Sequence, residues 1–183
     1  MDDAFNAYKD AWIITFTGKA FNPFDPNPDA IDIRDIAHHL ALENRFLGAT
    51  GEPYSVAEHS VRVSWLCPND AMWGLLHDAS EAYLRDVPAP YKKTHVFRDY
   101  LTLEAMVMQT VCVAFGLPQQ MPATVKDADR VLLATEKRDL MPKHPVREWQ
   151  VAAEPLLTPI RPMSWQAAEG LFLRRFKELG GVL

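Results

Sequence analysis

The chain has 183 residues, 48% of them hydrophobic, and a formal net charge of −5. That is enough for one domain with a substantial core, and no apolar run approaches the roughly 18 residues that cross a bilayer. The acidic balance argues against a nucleic-acid polymer as partner, which needs a basic face, yet leaves room for a small phosphate ligand held by a few local cations or a metal.

The opening stretch MDDAFNAYKD carries acidic residues and no apolar segment, so no secretory signal is expected and the protein is read as cytoplasmic. Residues 12–24 are rich in β-branched and aromatic types around Thr17-Gly18 and predict a short hairpin, an accessory cover and not a sheet core. Residues 22–30, with Pro23, Pro26 and Pro28, predict a stiff loop. From Asp32, a candidate cap, the period becomes helical: Ile33, Ile36, Ala37 and Leu40 fall on one face, and the helix is read through to Arg45-Phe46. Ser55 opens a second helix, with Glu58 completing a capping box, and Pro68-Asn69 ends it. Asn69 is read as the cap of a third helix running through His77, Asp78 and Glu81 to Leu84. Residues 86–92 predict an extended proline-rich loop.

A fourth helix is expected over about 97–115, and a fifth from Pro122 to Pro142. Residues 142–162 are read as irregular, and a last helix as running from Ser164 to about Leu179. Cys67 and Cys112 have no metal-type spacing and are expected as free thiols. No segment suggests a linker. The expected architecture is a single all-α domain over 1–183, a bundle of five to six helices with a small N-terminal β-hairpin.

One constellation stands out chemically. His77 and Asp78 are adjacent on an apolar helix, with Glu81 one turn later, so all three can border one pocket. Burying an imidazole and two carboxylates is costly unless something pairs with them. Neutral nitrogen and anionic oxygen together suit Zn, Mn, Fe, Co or Ni. His59 shares its helix face with Val56, Val63 and Leu66 and so points to the core. Asp127 and Asp129 stand roughly 200° apart on the fifth helix. Asp129 falls on the side of Val125, Leu132 and Leu133 and is the better ligand. Asp127, beside Arg130, reads as a solvated helix-start carboxylate. A lone histidine on an apolar face is more often a hydrogen-bonded core residue than a ligand. The order His, then His-Asp with a later Glu, then Asp, each on an apolar face, is what carries weight.

That order, H…HD…D, resembles the signature of the HD-domain phosphohydrolase superfamily. The segments YSVAEHS at 54–60, LLHDASEAYLRDVPAPYK at 75–92 and VKDADRVLLATEKRDL at 125–140 look like the small bacterial 5′-deoxynucleotidases. With TFTGKAF and IRDIAHHLALENRF, they look still more like the phage and prophage-borne relatives. The resemblance covers roughly residues 14–140. It implies an HD fold, its core over about 32–141, holding one divalent transition metal through His59, His77, Asp78 and Asp129. It implies that Glu81 and Asp86 lie beside the attacking water and the phosphate. Arg45 matches an arginine that contacts the nucleotide. Phe46 stands where the bacterial enzymes have Trp, and Lys92, at the end of the PAPYK stretch, is read as a candidate phosphate contact.

The resemblance thus implies a metal-dependent phosphohydrolase acting on (deoxy)nucleotides, foremost a 5′-deoxynucleotidase cleaving dNMPs, and an assembly of two or more copies. The alternatives are a dNTP triphosphohydrolase and a non-catalytic nucleotide-binding module. A ligand histidine needs an outer partner, and Glu58 and Ser60 are near in sequence. His38-His39 are read as core or supporting residues, His95 and His144 as exposed loop residues. Trp12, Trp65, Trp73, Trp149 and Trp165 are read as core or interface.

Overall fold

A computed structural model of the chain describes residues 8–143, 146–147 and 149–183. His144 lies outside the described residues. The molecule is mostly helical, with one small antiparallel sheet of β1 (Ile13–Ile14) and β2 (Ala20–Phe21). Ile13 pairs with Phe21 and Ile14 with Ala20. Gly18, at φ +84°, supplies the left-handed turn residue between them. The hairpin is fastened by Asp35, fully buried, whose carboxylate accepts from the Thr17 N–H at 2.6 Å and the Thr17 hydroxyl at 2.9 Å.

Helix α1 (Ile33–Leu42) is capped by Asp32, which accepts from the Arg34 N–H, and buries Ile33, Ile36, Ala37 and Leu40 as its period requires. It does not reach Arg45. Arg45 begins a separate 3₁₀ turn (Arg45–Gly48), because Asn44 leaves the helix to bridge Ser55, and the Arg45 N–H donates to Tyr54 O. Helix α2 (Val56–Leu66) starts on Ser55, whose hydroxyl accepts from the Glu58 N–H. The Glu58 carboxylate instead accepts from Arg62 and from the Met163 N–H, so the box is half formed.

The third predicted helix is broken. Asn69 lies inside a 3₁₀ turn (Pro68–Asp70) and caps nothing. Helix α3 (Ala71–Leu76) stops before His77, and α4 (Glu81–Leu84) resumes after it. Between them, Ala79 N–H donates to Leu76 O and Glu81 N–H to Asp78 O, a tighter winding than an α-helix. The proline-rich loop holds a one-turn helix α5 (Ala89–Lys92). Helices α6 (Arg98–Ala114), α7 (Ala123–Leu140) and α8 (Trp165–Glu178) lie where periodicity predicts them. Described residues between 142 and 162 contain no helix or strand. The break and the extra turn carry the helical segments beyond the five or six expected.

Helix α2 is the hub, packed against α1, α3, α7 and α8. On one side, Val56 and Val61 join Ile36, Leu40, Leu75, Val107 and Phe172; on the other, Val63 joins Tyr54, Trp73, Val125 and Leu132. Trp73 is therefore core, but Trp12, Trp65 and Trp165 stand half exposed. Cys67 and Cys112 are buried free thiols. Among the described residues, no helix is long and apolar enough to cross a membrane.

Candidate metal centre

Three elements far apart in sequence present their polar atoms to one point. Helix α2 presents His59, the tight turn after α3 presents His77 and Asp78, and α7 presents Asp129. One ligand atom each from His59, His77 and Asp129 lies within 4.8 Å of the other two. His59 Nε2 is 3.2 Å from His77 Nε2 and 3.2 Å from Asp129 Oδ1. Asp78 Oδ2 flanks the pair, 3.2 Å from His77 Nε2 and 3.6 Å from His59 Nε2. The histidines form a buried floor, and the Asp129 side chain, 40% exposed, forms the rim toward solvent. Asp127 is exposed and paired with Arg130 at 3.2 Å, as its place on α7 predicts.

Hydrogen bonds behind the cluster fix the ring orientations. His77 Nδ1 donates to Gly74 O at 2.8 Å, since a carbonyl can only accept, which turns Nε2 to the cluster. His59 Nδ1 donates to Glu136 Oε1 at 2.6 Å, and Glu136 is fully buried. The expected partners are elsewhere: Glu58 is engaged with Arg62 and Met163, and the Ser60 hydroxyl is buried with no hydrogen-bond partner among the described residues. Glu136 was missed because TEKRDL reads as a charged, solvated stretch. Its signal lies in the spacing: Glu136 stands two turns after Asp129 and one turn after Leu132, on the buried stripe of α7.

The field at this point favours positive charge. Burial and Arg45 oppose a charge on His59, yet the carboxylates of Glu136 and Asp129 outweigh them and push it up to about 9. Burial likewise opposes ionisation of Asp78 and Asp129, but the adjacent histidines hold both below the usual carboxylate range. Two imidazole nitrogens and two carboxylates facing one another need a cation among them, either a proton or a metal ion, and this N/O donor set fits a divalent transition metal.

Around this cluster stand the other predicted residues. Arg45 is nearly buried, its guanidinium 3.4 Å from Asp78 and 3.2 Å from Glu136. Phe46 and Leu47 follow at φ +57° and +55°, a strained pair of non-glycine residues. The Phe46 ring lies 5.3 Å under the Arg45 guanidinium and meets Trp149 edge-on at 5.9 Å. Glu81 is buried, with Oε2 unpartnered among the described residues; burial first, then Asp78 and Asp86, raise its carboxyl well above the ordinary range. Burial, joined by repulsion from Asp78, also raises Asp86, although Arg45 pulls the other way. Lys92 is already held between Glu104, at 2.5 Å, and Glu81, at 3.4 Å. Glu104, on α6, carries no sequence signal that ties it to Lys92.

His38 and His39 lie outside the cluster. His39 Nδ1 donates to Ala82 O at 2.8 Å and His39 Nε2 accepts the Phe16 N–H at 3.2 Å, fastening the hairpin to α4. His38 stacks on Phe16 at 3.8 Å and meets Glu169 at 3.3 Å. His95 is exposed.

Fold and cluster together define a mostly helical protein with a candidate metal-binding triad of His59, His77 and Asp129. No family model matches the chain. It is 40% identical over 174 residues to the uncharacterized protein YfdR of Escherichia coli (strain K12), spanning 92% of this chain and 96% of YfdR. It is 38% identical over 130 residues to an uncharacterized protein of Rhodobacter capsulatus, spanning 66% of each chain. The chain belongs to the YfdR family.

Proposed function

We propose that this chain is an HD-domain, metal-dependent phosphohydrolase that cleaves the phosphate monoester of deoxynucleoside 5′-monophosphates. The observation that carries the reading is the convergence of His59, His77, Asp78 and Asp129 beside a buried acid, Glu81, one of whose carboxyl oxygens has no partner among the described residues. His59, His77, Asp78 and Asp129 would hold the ion. When bound, a divalent ion supplies Lewis-acid chemistry, acidifying water and polarising a phosphoryl oxygen.

The chain's own residues do the rest. Asp86, raised above an ordinary carboxylate, is a stronger base than a free aspartate and takes a proton from the attacking water. Glu81, raised further out of its range, keeps its proton and passes it to the ester oxygen as the phosphorus–oxygen bond breaks. Arg45 and Lys92 orient the phosphate, and Phe46 with Trp149 borders the nucleoside. Both cations already face carboxylates on two sides. With so little positive charge left uncompensated, the site suits one phosphate better than three. The buried free thiols support a reducing, cytoplasmic setting.

The test is product analysis from a panel of deoxy- and ribonucleotides with Mn, Co, Mg or Zn, comparing wild type with Asp78→Ala. Orthophosphate from monophosphates, lost in the variant, is the expected result. Triphosphate released from dNTPs would replace the reading with a triphosphohydrolase. No metal-dependent product from any nucleotide would leave a binding module.

A further inference from the structure

We propose that Glu136 is a positioning residue of the metal centre, one carboxylate that orients two of its ligands, His59 directly and Asp78 through Arg45; the inference rests on the metal-centre reading above. One oxygen, Oε1, accepts from His59 Nδ1 at 2.6 Å. The other, Oε2, accepts from Arg45 Nη2 at 3.2 Å, and Arg45 Nη1 reaches Asp78 Oδ2 at 3.4 Å. Asp78 Oδ2 lies 3.6 Å from His59 Nε2, so the chain of contacts closes into a ring: Glu136, His59, Asp78, Arg45 and back. Both arms from Glu136 end on a cluster residue.

The helix adds a third tie. Glu136 and Asp129 share one face of α7, so the backbone fixes the distance between a ligand and the group that aims another ligand. A buried carboxylate kept for stability alone has no need of this arrangement, since a buried ion pair is often no better than apolar packing. A carboxylate accepting from the far nitrogen of a ligand histidine fixes its tautomer and raises its basicity. Glu136 does this for His59 while holding Arg45 against Asp78.

Cobalt(II) serves as the probe, read by its visible absorption and by competition with a chelator, on full-length wild type, Glu136→Gln and Glu136→Ala. Glu136→Ala is expected to bind Co(II) about 10–100-fold more weakly with an altered spectrum. Glu136→Gln retains an acceptor for His59 and is expected to restore the wild-type spectrum with affinity still several-fold weaker, for want of the charge that raises ring basicity. Wild-type affinity and spectrum in a folded Glu136→Ala would overturn the proposal. If that variant does not fold, wild-type affinity in the near-isosteric Glu136→Gln overturns it equally. No Co(II) binding by wild type would remove the metal-centre reading itself, a different failure from either.

Discussion

Asp127 and Asp129 flank Ala128 on one helix and meet opposite fates. Asp127 is exposed beside Arg130, while Asp129 touches His59. Asp129→Ala is therefore expected to abolish tight Mn(II) or Co(II) binding, and Asp127→Ala to leave it within about twofold, since exposed pairs contribute little. Equilibrium dialysis on both variants checks this, and equal losses would move the centre off Asp129. A second expectation concerns pH. His59 is raised from 6.5 to about 9, so without metal its proton-bound form stabilises the fold fully below 6.5. That contribution is lost as pH climbs through about 9. A metal ion must displace the same proton, so metal affinity runs the other way, rising toward about tenfold per pH unit up to 9. Chelator competition across pH 6–10 reads the affinity, and urea unfolding of the EDTA-treated protein reads the stability. A flat affinity profile would contradict the proton on His59. His59, His77 and Asp129 were legible because each polar residue interrupts an apolar face. Glu136 was not read, although it too falls on the buried stripe of α7: charged neighbours mask it, and the partner that gives it a role is 77 residues away.

At the scale of elements, the sequence misled where polar groups outcompeted periodicity. The apolar run through Leu75, Leu76 and Ala79 reads as one helix, yet the chain tightens at His77 and Asp78 and resumes only at Glu81. The tightening lets His77 reach Gly74 O while Asp78 turns to the same cluster. Gly74 is the pivot. A Cβ there would stand 2.5 Å from Cys67 Sγ and 2.9 Å from Ser64 Cα, which belongs to the α2 backbone. Replacing a helical glycine by alanine ordinarily gains about 1 kcal/mol in propensity. Here overpacking, typically costing about 1–3 kcal/mol, must push α3 away from α2. Gly74→Ala is thus expected to lower stability in urea unfolding and to weaken metal binding, because His77 hangs from the same carbonyl. A stabilised variant would show that the two helices part without cost. The same competition moved Arg45 out of α1, through the Asn44–Ser55 bridge that no hydrophobic pattern announces. Elements that obey one period from end to end, α6, α7 and α8, were legible throughout.

Across the whole molecule, the C-terminal helix packs onto the body of the chain. Ala168, Phe172 and Phe176 are buried against α1 and α2, and Glu58 accepts the Met163 N–H just ahead of that helix. The tail closes the chain's own core and holds α2, and with it His59, from behind. The cluster residues then come from α2, from the turn after α3 and from α7, separated by long stretches of chain. An unfolded chain cannot assemble them, so an ion bound there stabilises the fold by mass action, about 2.7 kcal/mol at a free concentration 100 times Kd. For a domain of this size that corresponds to a rise in Tm of roughly 5–10 °C. Adding Mn(II) or Co(II) to EDTA-treated wild type is expected to produce that rise in differential scanning fluorimetry. Asp129→Ala should begin at or below the Tm of metal-free wild type, having lost one of the carboxylates that hold the His59 proton, and should not rise as metal is added. A wild-type shift in that variant would mean that the ion stabilises the protein from some other place. No shift in either would mean that the carboxylates hold His59 protonated for folding alone.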